Sequence, residues 1–293
     1  MYSRVHGDGV AWMRDSPERS AHAVVTDPPF GKEYEDGEFS KRDGVGGVWR
    51  QPPALGGRRR APMPRFTVLT KRDQGRMCAA FGDFAAAAMR VLVPGGHVFI
   101  AVQPLLSHLV YGPMMAAGFE KRGEVVRLVR TLRGGDRPKL AEREFSGVTV
   151  MPRSGWEPWG VFRKPMDGSV RDNLRRWGTG GLRRTWDGLE FSDVIESGRT
   201  PKAERLVGRH PSLKPQAFLR RLVYASLPLG EGAVIDPFMG SGSTIAAAVA
   251  VGYGDRSVGV EVRREFYDVS GEAIPALAAM YPWDAPAARG GVT

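Results

Sequence analysis

The chain has 293 residues and a net charge of +10, with 42 Lys+Arg against 32 Asp+Glu. That length can bury a real core, and 42% hydrophobic residues with seven Trp exclude global disorder and a miniprotein held by staples. A single cysteine, Cys78, excludes an internal disulfide and a cysteine-rich zinc site, so no metal is expected. The opening residues lack the apolar core of a signal peptide, and no apolar run is long enough for a bilayer, which reads as a cytoplasmic protein without a membrane partner. A positive surplus attracts polyanions; composition leaves a nucleic-acid partner and a merely charged soluble surface equally open.

In chain order, Ala23 to Thr26 is a short apolar run stopped by Asp27-Pro28-Pro29, which predicts a buried strand running into a loop. Residues 31–66 are rich in glycine and proline, carry the basic cluster Arg58-Arg59-Arg60 and show no apolar periodicity. No ordered element is expected there, and a loop of that length is either a functional lid or plain disorder. Met77, Phe81, Phe84, Ala85, Ala88, Met89 and Leu92 repeat at helical spacing; Pro94-Gly95-Gly96 then turns into a strand over 97–102. A further helix over 105–117 and a strand over 124–132 continue an α/β alternation.

The middle block, 133–205, differs. It holds Trp156, Trp159, Trp177 and Trp186 among many arginines, with little clean periodicity. Interleaved Arg and aromatic residues can hold phosphates and stack on bases, and a small subdomain with solvated arginines is the alternative. From 206 onward the alternation returns: a helix over 216–227, a strand over 233–236, a glycine turn, a helix over 244–251 and a strand over 257–261 form one β-α-β unit.

Two segments carry chemistry. In Asp236-Pro237-Phe238-Met239-Gly240-Ser241-Gly242-Ser243, the glycines let the backbone approach a ligand and the following helix offers unpaired N–H groups. About nineteen residues after Gly242, Glu261 ends the next strand, where a carboxylate can accept both hydroxyls of a ribose. A nucleoside-bearing cofactor fits; a triphosphate loop does not, because no lysine follows the turn. In Asp27-Pro28-Pro29-Phe30, two prolines stiffen a strand end so that the carboxylate and the Pro28 carbonyl aim two acceptors at one spot, with an aromatic face beside them. Such a site suits a planar amine.

Together these segments resemble the S-adenosylmethionine-dependent DNA amino-methyltransferases, whose signature pairs a D/N/S-P-P-Y/F/W motif with FxGxG. They stand here as Asp27-Pro28-Pro29-Phe30 and Phe238-Met239-Gly240-Ser241-Gly242. His210-Pro211-Ser212-Leu213-Lys214-Pro215 is similar to the family's HP[ST]xKP element, and Val93-Pro94-Gly95-Gly96-His97 to its helix-to-strand turn. With the catalytic motif first and the cofactor motif last, the order resembles the beta type.

The resemblance implies a circularly permuted Rossmann-like α/β sheet with helices on both faces. Its parts would be a catalytic half over 1–132 with a mobile loop 31–66, a target-recognition insert over 133–205 and a cofactor-binding half over 206–293. It implies methyl transfer to adenine N6 in duplex DNA, an Asp in the first catalytic position being the adenine-like choice. Cytosine N4 is the alternative, and RNA or a protein amide a more distant one. Asp27, Pro28, Pro29 and Phe30 would be catalytic. Asp8, Ser212, Lys214, Asp236, Phe238, Gly240, Gly242 and Glu261 would hold S-adenosylmethionine; His210 reads as a ligand or a packed histidine, the packed role being the favoured one. Arg58, Arg59, Arg60, Trp177, Arg183 and Arg184 would touch DNA. The resemblance also admits a homodimer, a cognate restriction endonuclease and association with the nucleoid.

Overall fold

The computed structural model describes residues 2–29, 48–50, 60–62, 71–129, 141–150, 152 and 155–281. Phe30, Arg58 and Arg59 lie outside them, as does most of the loop 31–66. Within that loop two short strands are described, β3 (Val48–Arg50) and β4 (Arg60–Pro62), paired antiparallel with Val48 opposite Pro62. The expectation of no ordered element is corrected to that extent: backbone pairing needs no apolar periodicity.

The remaining strands form one eight-stranded sheet. They are β1 (Ser3–His6), β2 (Ala21–Thr26), β5 (Leu92–Ala101), β6 (Glu120–Leu128), β7 (Trp156–Arg163), β8 (Val194–Glu196), β9 (Val234–Asp236) and β10 (Val258–Glu261), in the order β1-β10-β9-β2-β5-β7-β6-β8. β1, β10, β9, β2 and β5 run parallel, and β7 enters antiparallel between β5 and β6. β1 pairs with β10, Arg4 opposite Gly259, so an early and a late strand of the sequence meet at one edge of the sheet, as the permuted order predicts.

Alternation along the strands feeds both faces. Val24, Val98, Ile100 and Ile235 point to one side, where α1 (Gly9–Asp15), α2 (Lys71–Val91) and α3 (Ser107–Ala116) cover them with Met13, Phe81, Phe84 and Met114. Ala23, Val25, Phe99 and Val234 point to the other, against Phe218, Leu219 and Leu222 of α6 (Gln216–Ser226) and Ala247 and Ala248 of α7 (Ser243–Ala250). α5 (Lys202–Gly208) and α8 (Arg264–Ala279) extend that layer through Leu213, Ile245, Ile274 and Leu277. No helix among the described residues is long and apolar enough to cross a membrane.

The block 133–205 does not stand apart as an insert: β7 and β8 belong to the main sheet, and Trp159, expected in a recognition region, is fully buried against Phe218. The remaining helix, α4 (Val170–Trp177), is tied down by a single buried amide. Asn173 Nδ2 donates to the carbonyls of Pro94 (3.1 Å) and Thr179 (2.8 Å), and its Oδ1 accepts from the Asp167 N–H at 2.9 Å. Asn173→Ala orphans the Thr179 carbonyl and the Asp167 N–H, while the Pro94 carbonyl keeps the Thr179 hydroxyl, and is expected to lower stability by about 1–3 kcal/mol, read as a reduced urea midpoint at unchanged slope.

Candidate active site

Every parallel strand ends at the same edge, where open α/β sheets place their ligands. β2 delivers Asp27, β9 delivers Asp236 and β10 delivers Glu261. The Gly7 N–H donates to the Glu261 carbonyl at 3.0 Å, which brings Asp8 to that edge as well. The chain thus gathers its two halves into one crevice.

The glycine turn is shaped from three sides. Gly240 and Gly242 have φ of +54° and +88°, a left-handed backbone that disfavours side chains. A Cβ on Gly240 would come 3.0 Å from His210 Nε2, and one on Gly9 would fall 2.0 Å from the Pro237 carbonyl oxygen. The Glu261 carboxylate, buried between the turn and α8, accepts from the N–H groups of Gly240 and Arg263, each at 2.8 Å. A carboxylate has about four acceptor sites, so capacity remains for two hydroxyls. Burial raises its pKa, with the two N–H groups opposing the shift. Ser241 Oγ is buried in the turn with no hydrogen-bond partner among the described residues. A waiting buried hydroxyl, two glycines and a preset carboxylate fit a ribose-bearing cofactor with a polar tail.

Asp236 joins the turn to the catalytic strand. Its Oδ1 accepts from Thr26 Oγ1 at 2.7 Å and from the Phe238 N–H at 3.1 Å, and burial lifts its pKa to about 6. The Phe238 ring stacks on Phe84 of α2, centroids 6.0 Å apart, so it forms a wall of the crevice. Asp8 caps α1 through the Ala11 N–H at 2.7 Å. His210 lies edge-on to Phe266, centroids 4.3 Å apart, with Nδ1 accepting from the Ser212 N–H at 3.2 Å. Burial, then Lys214 and Arg263, lower its pKa to about 3, so it is a neutral packing residue at physiological pH. Ser212 is exposed.

Lys214, read from the sequence as a cofactor ligand, faces Asp27 instead: Nζ donates to Asp27 Oδ2 at 2.6 Å. It also approaches Glu157 Oε1 at 3.6 Å. Glu157 accepts from Trp159 Nε1 (2.9 Å) and pairs through Oε2 with Arg127 (3.3 Å), which donates in turn to Ser197 Oγ and the Gly198 carbonyl, both at 3.0 Å. Burial raises the Asp27 pKa against the opposing pull of Lys214. Burial pulls Lys214 down, but Asp27 and Glu157 together outweigh it and hold the ammonium above the usual lysine range. Pro28 is buried and Pro29 half-buried beside them. Glu157 and Arg127 escaped the sequence reading; their one signal was charge flanking a Trp-rich or apolar strand, which many surface strands share.

Three residues expected on DNA lie away from the crevice. The Trp177 ring lies under Arg19, 5.6 Å from the guanidinium, where β2 begins. Arg183 donates to the Tyr253 hydroxyl at 2.6 Å and covers the Tyr224 ring, and Arg184 pairs with Glu190 at 2.8 Å. These belong to the edge where the parallel strands start, about 20 Å of strand away from Asp27. The structure does not bring them to the crevice. Of Arg60 only the backbone pairing with Arg50 is described.

The family model for DNA methylase matches residues 155–272. The chain is 34% identical over 90 residues to the type II methyltransferase M2.DpnII of Streptococcus pneumoniae, 31% of this chain and 32% of that protein. It is 42% identical over 57 residues to the DNA adenine methyltransferase YhdJ of Escherichia coli, 20% of this chain and 18% of that one. The matched segments thus span a third or less of these relatives. The fold is similar to that of a DNA modification methylase from Thermus thermophilus solved with S-adenosyl-L-methionine, at a TM-score of 0.60 and 18% identity over 96% of both chains. The matched segment contains Glu157, Lys214, the glycine turn and Glu261, and its sheet edge is the one that receives Asp27: residues 155–272 are a DNA methylase family segment, set in a chain whose fold is similar to that of DNA methyltransferases.

Proposed function

We propose that the chain transfers a methyl group from S-adenosylmethionine to the exocyclic N6 of an adenine flipped out of duplex DNA. The observation that carries this reading is the junction of the two motifs, where the Thr26–Asp236 hydrogen bond sets the acceptor Asp27 beside the glycine turn. When bound, S-adenosylmethionine supplies an electrophilic methyl group on a sulfonium. Glu261 would hold its ribose, Gly240, Ser241 and Gly242 its amino-acid end, and Asp8 the region of its adenine. The likeness to YhdJ over 57 residues supports adenine.

A base stacked in a duplex cannot reach a crevice at a sheet edge, so the target must swing out, at a price of a few kcal/mol. Its exocyclic amine is a poor nucleophile because the lone pair is delocalised into the ring. Hydrogen bonds donated by that amine to the Asp27 carboxylate and the Pro28 carbonyl favour the pyramidal nitrogen. The proton lost after attack is acidic, so Asp27 acts by position and by charge more than by basicity. The surplus of ten positive charges supplies the field that gathers DNA, and binding should weaken steeply with salt. Loop 31–66, which leaves the catalytic motif directly, and the surface of block 133–205 are the proposed DNA contacts.

A second reading, cytosine N4, follows from the family model, which covers N6 and N4 methylases alike. Incubation with S-adenosylmethionine and unmethylated genomic DNA, followed by digestion to nucleosides and mass spectrometry, separates the two. N6-methyladenine is the expected product; N4-methylcytosine would overturn the base, and no methylated nucleoside would turn attention to RNA or protein amides.

A further inference from the structure

Four ionisable side chains meet behind the acceptor, and their signs alternate: Arg127, Glu157, Lys214, Asp27. They come from β6, β7, the loop before α6 and the end of β2, so three tertiary contacts are devoted to one row. The two cations are the better shielded. The Arg127 side chain is 7% exposed, Lys214 12%, and Glu157 and Asp27 28% and 22%. Two carboxylates and two cations sum to zero, so the row gives no net charge for attracting DNA. A packing role alone would be met as well by apolar side chains of similar volume, because a buried ion pair rarely stabilises more than its apolar replacement.

Its geometry favours a different role. Left alone with Asp27, the Lys214 ammonium would form a full ion pair that competes with the weakly donating target amine. Glu157 offers the same ammonium a second carboxylate 3.6 Å away, while Trp159 Nε1 and Arg127 hold the two Glu157 oxygens in place. Arg127 is itself fixed by Ser197 and Gly198. We propose that Glu157 and Arg127 are positioning residues for the acceptor: they hold Lys214 on Oδ2 of Asp27 and divide its attraction, leaving Oδ1 to the incoming amine. This rests on the function proposed above, for which Asp27 is the acceptor.

The charged groups facing Asp27 are Lys214 from the loop before α6, Glu157 from β7, Arg127 from β6 and Asp236 from β9; Glu157 pushes its titration up, and Lys214 and Arg127 push it down. Two variants therefore carry opposite signs. Glu157→Gln removes a negative neighbour and should move the acid limb of the kcat–pH profile, and the Asp27 carboxyl titration seen by carbon-13 NMR, to lower pH. Arg127→Gln removes a positive neighbour and should move both to higher pH. Either should lower kcat about 10- to 100-fold, the scale for losing a group that orients a reacting one, with KM for S-adenosylmethionine unchanged. Glu157→Asp, which keeps the charge, should restore the titration.

Should one variant fail to fold, the other still decides by the sign of its shift. An Asp27 titration unmoved in the folded variants, or moved against these signs, would overturn the inference. If the wild type transfers no methyl group to DNA, the proposed function fails, and the NMR titrations remain the test of the electrostatic arrangement.

Discussion

Asp27→Ala is expected to lower kcat by about 10² to 10³-fold or more while S-adenosylmethionine binds as in the wild type. The expected loss is that of an aligned charged acceptor in a shielded site, where such groups contribute most. Asp27 sits at the end of β2, outside the glycine turn, and none of its described hydrogen bonds goes to that turn; its partner is Lys214. Removal therefore leaves Glu261 and Gly240 undisturbed but strands the Lys214 ammonium with Glu157 alone. Asp27→Asn is the sharper variant: it keeps the volume but turns one acceptor into a donor that opposes either Lys214 or the target amine, whichever it faces. Single-turnover methylation with cofactor binding measured separately distinguishes the outcomes. A variant slowed less than tenfold would remove Asp27 from the centre of the chemistry.

The second large effect is expected at Glu261, and on binding instead of turnover. Its carboxylate is a structural acceptor before any cofactor arrives, because the Gly240 and Arg263 N–H groups both point into it. Glu261→Ala orphans two N–H groups near the turn, each at about 1–3 kcal/mol, and removes the acceptor proposed for the ribose hydroxyls. The affinity for S-adenosylhomocysteine by calorimetry should fall at least about a hundredfold, with a lower Tm. Glu261→Gln keeps one acceptor oxygen and should fall between. Binding equal to wild type in Glu261→Ala would show that the cofactor takes its hydroxyl contacts elsewhere.

The β-α-β unit proposed to hold the cofactor was legible in the sequence because its signals are local: a strand, a turn with two glycines, a helix and an acid at the next strand end all lie between Val234 and Glu261. Strand β2 was legible for the same reason, since Asp27-Pro28-Pro29 stops an apolar run. β7 was harder. Trp156-Glu157-Pro158-Trp159-Gly160 mixes a charge, a proline and a glycine into eight residues that are nonetheless mostly buried, so neither alternation nor a plain apolar run marks it. α4 has a short apolar stripe, Val170, Leu174 and Trp177, but its one fully buried side chain is the amide of Asn173. Likewise, the Pro94-Gly95-Gly96 turn is absorbed into β5, because Leu92 already pairs with Ala21 and a register shift takes up the slack before His97 meets Ala23. The charged row behind Asp27 was hidden because it is purely tertiary: Lys214 and Asp27 are 187 residues apart, and spacing carries no trace of their meeting.

The pairing of β1 with β10 bears on when the molecule becomes competent. Ser3 to His6 line up with Val258 to Glu261, and His6 Nε2 lies 3.2 Å from the Val262 carbonyl across 256 residues of chain. On a ribosome adding about 5 to 20 residues each second, the strand made first waits on the order of 10 to 50 s for its neighbour. β2 and its neighbour β5 exist well before then, but the pairing that brings the Gly7 N–H to the Glu261 carbonyl does not. On the proposed function, a nascent chain would carry its acceptor carboxylate well before the strand pairing that completes the proposed seat for the methyl donor.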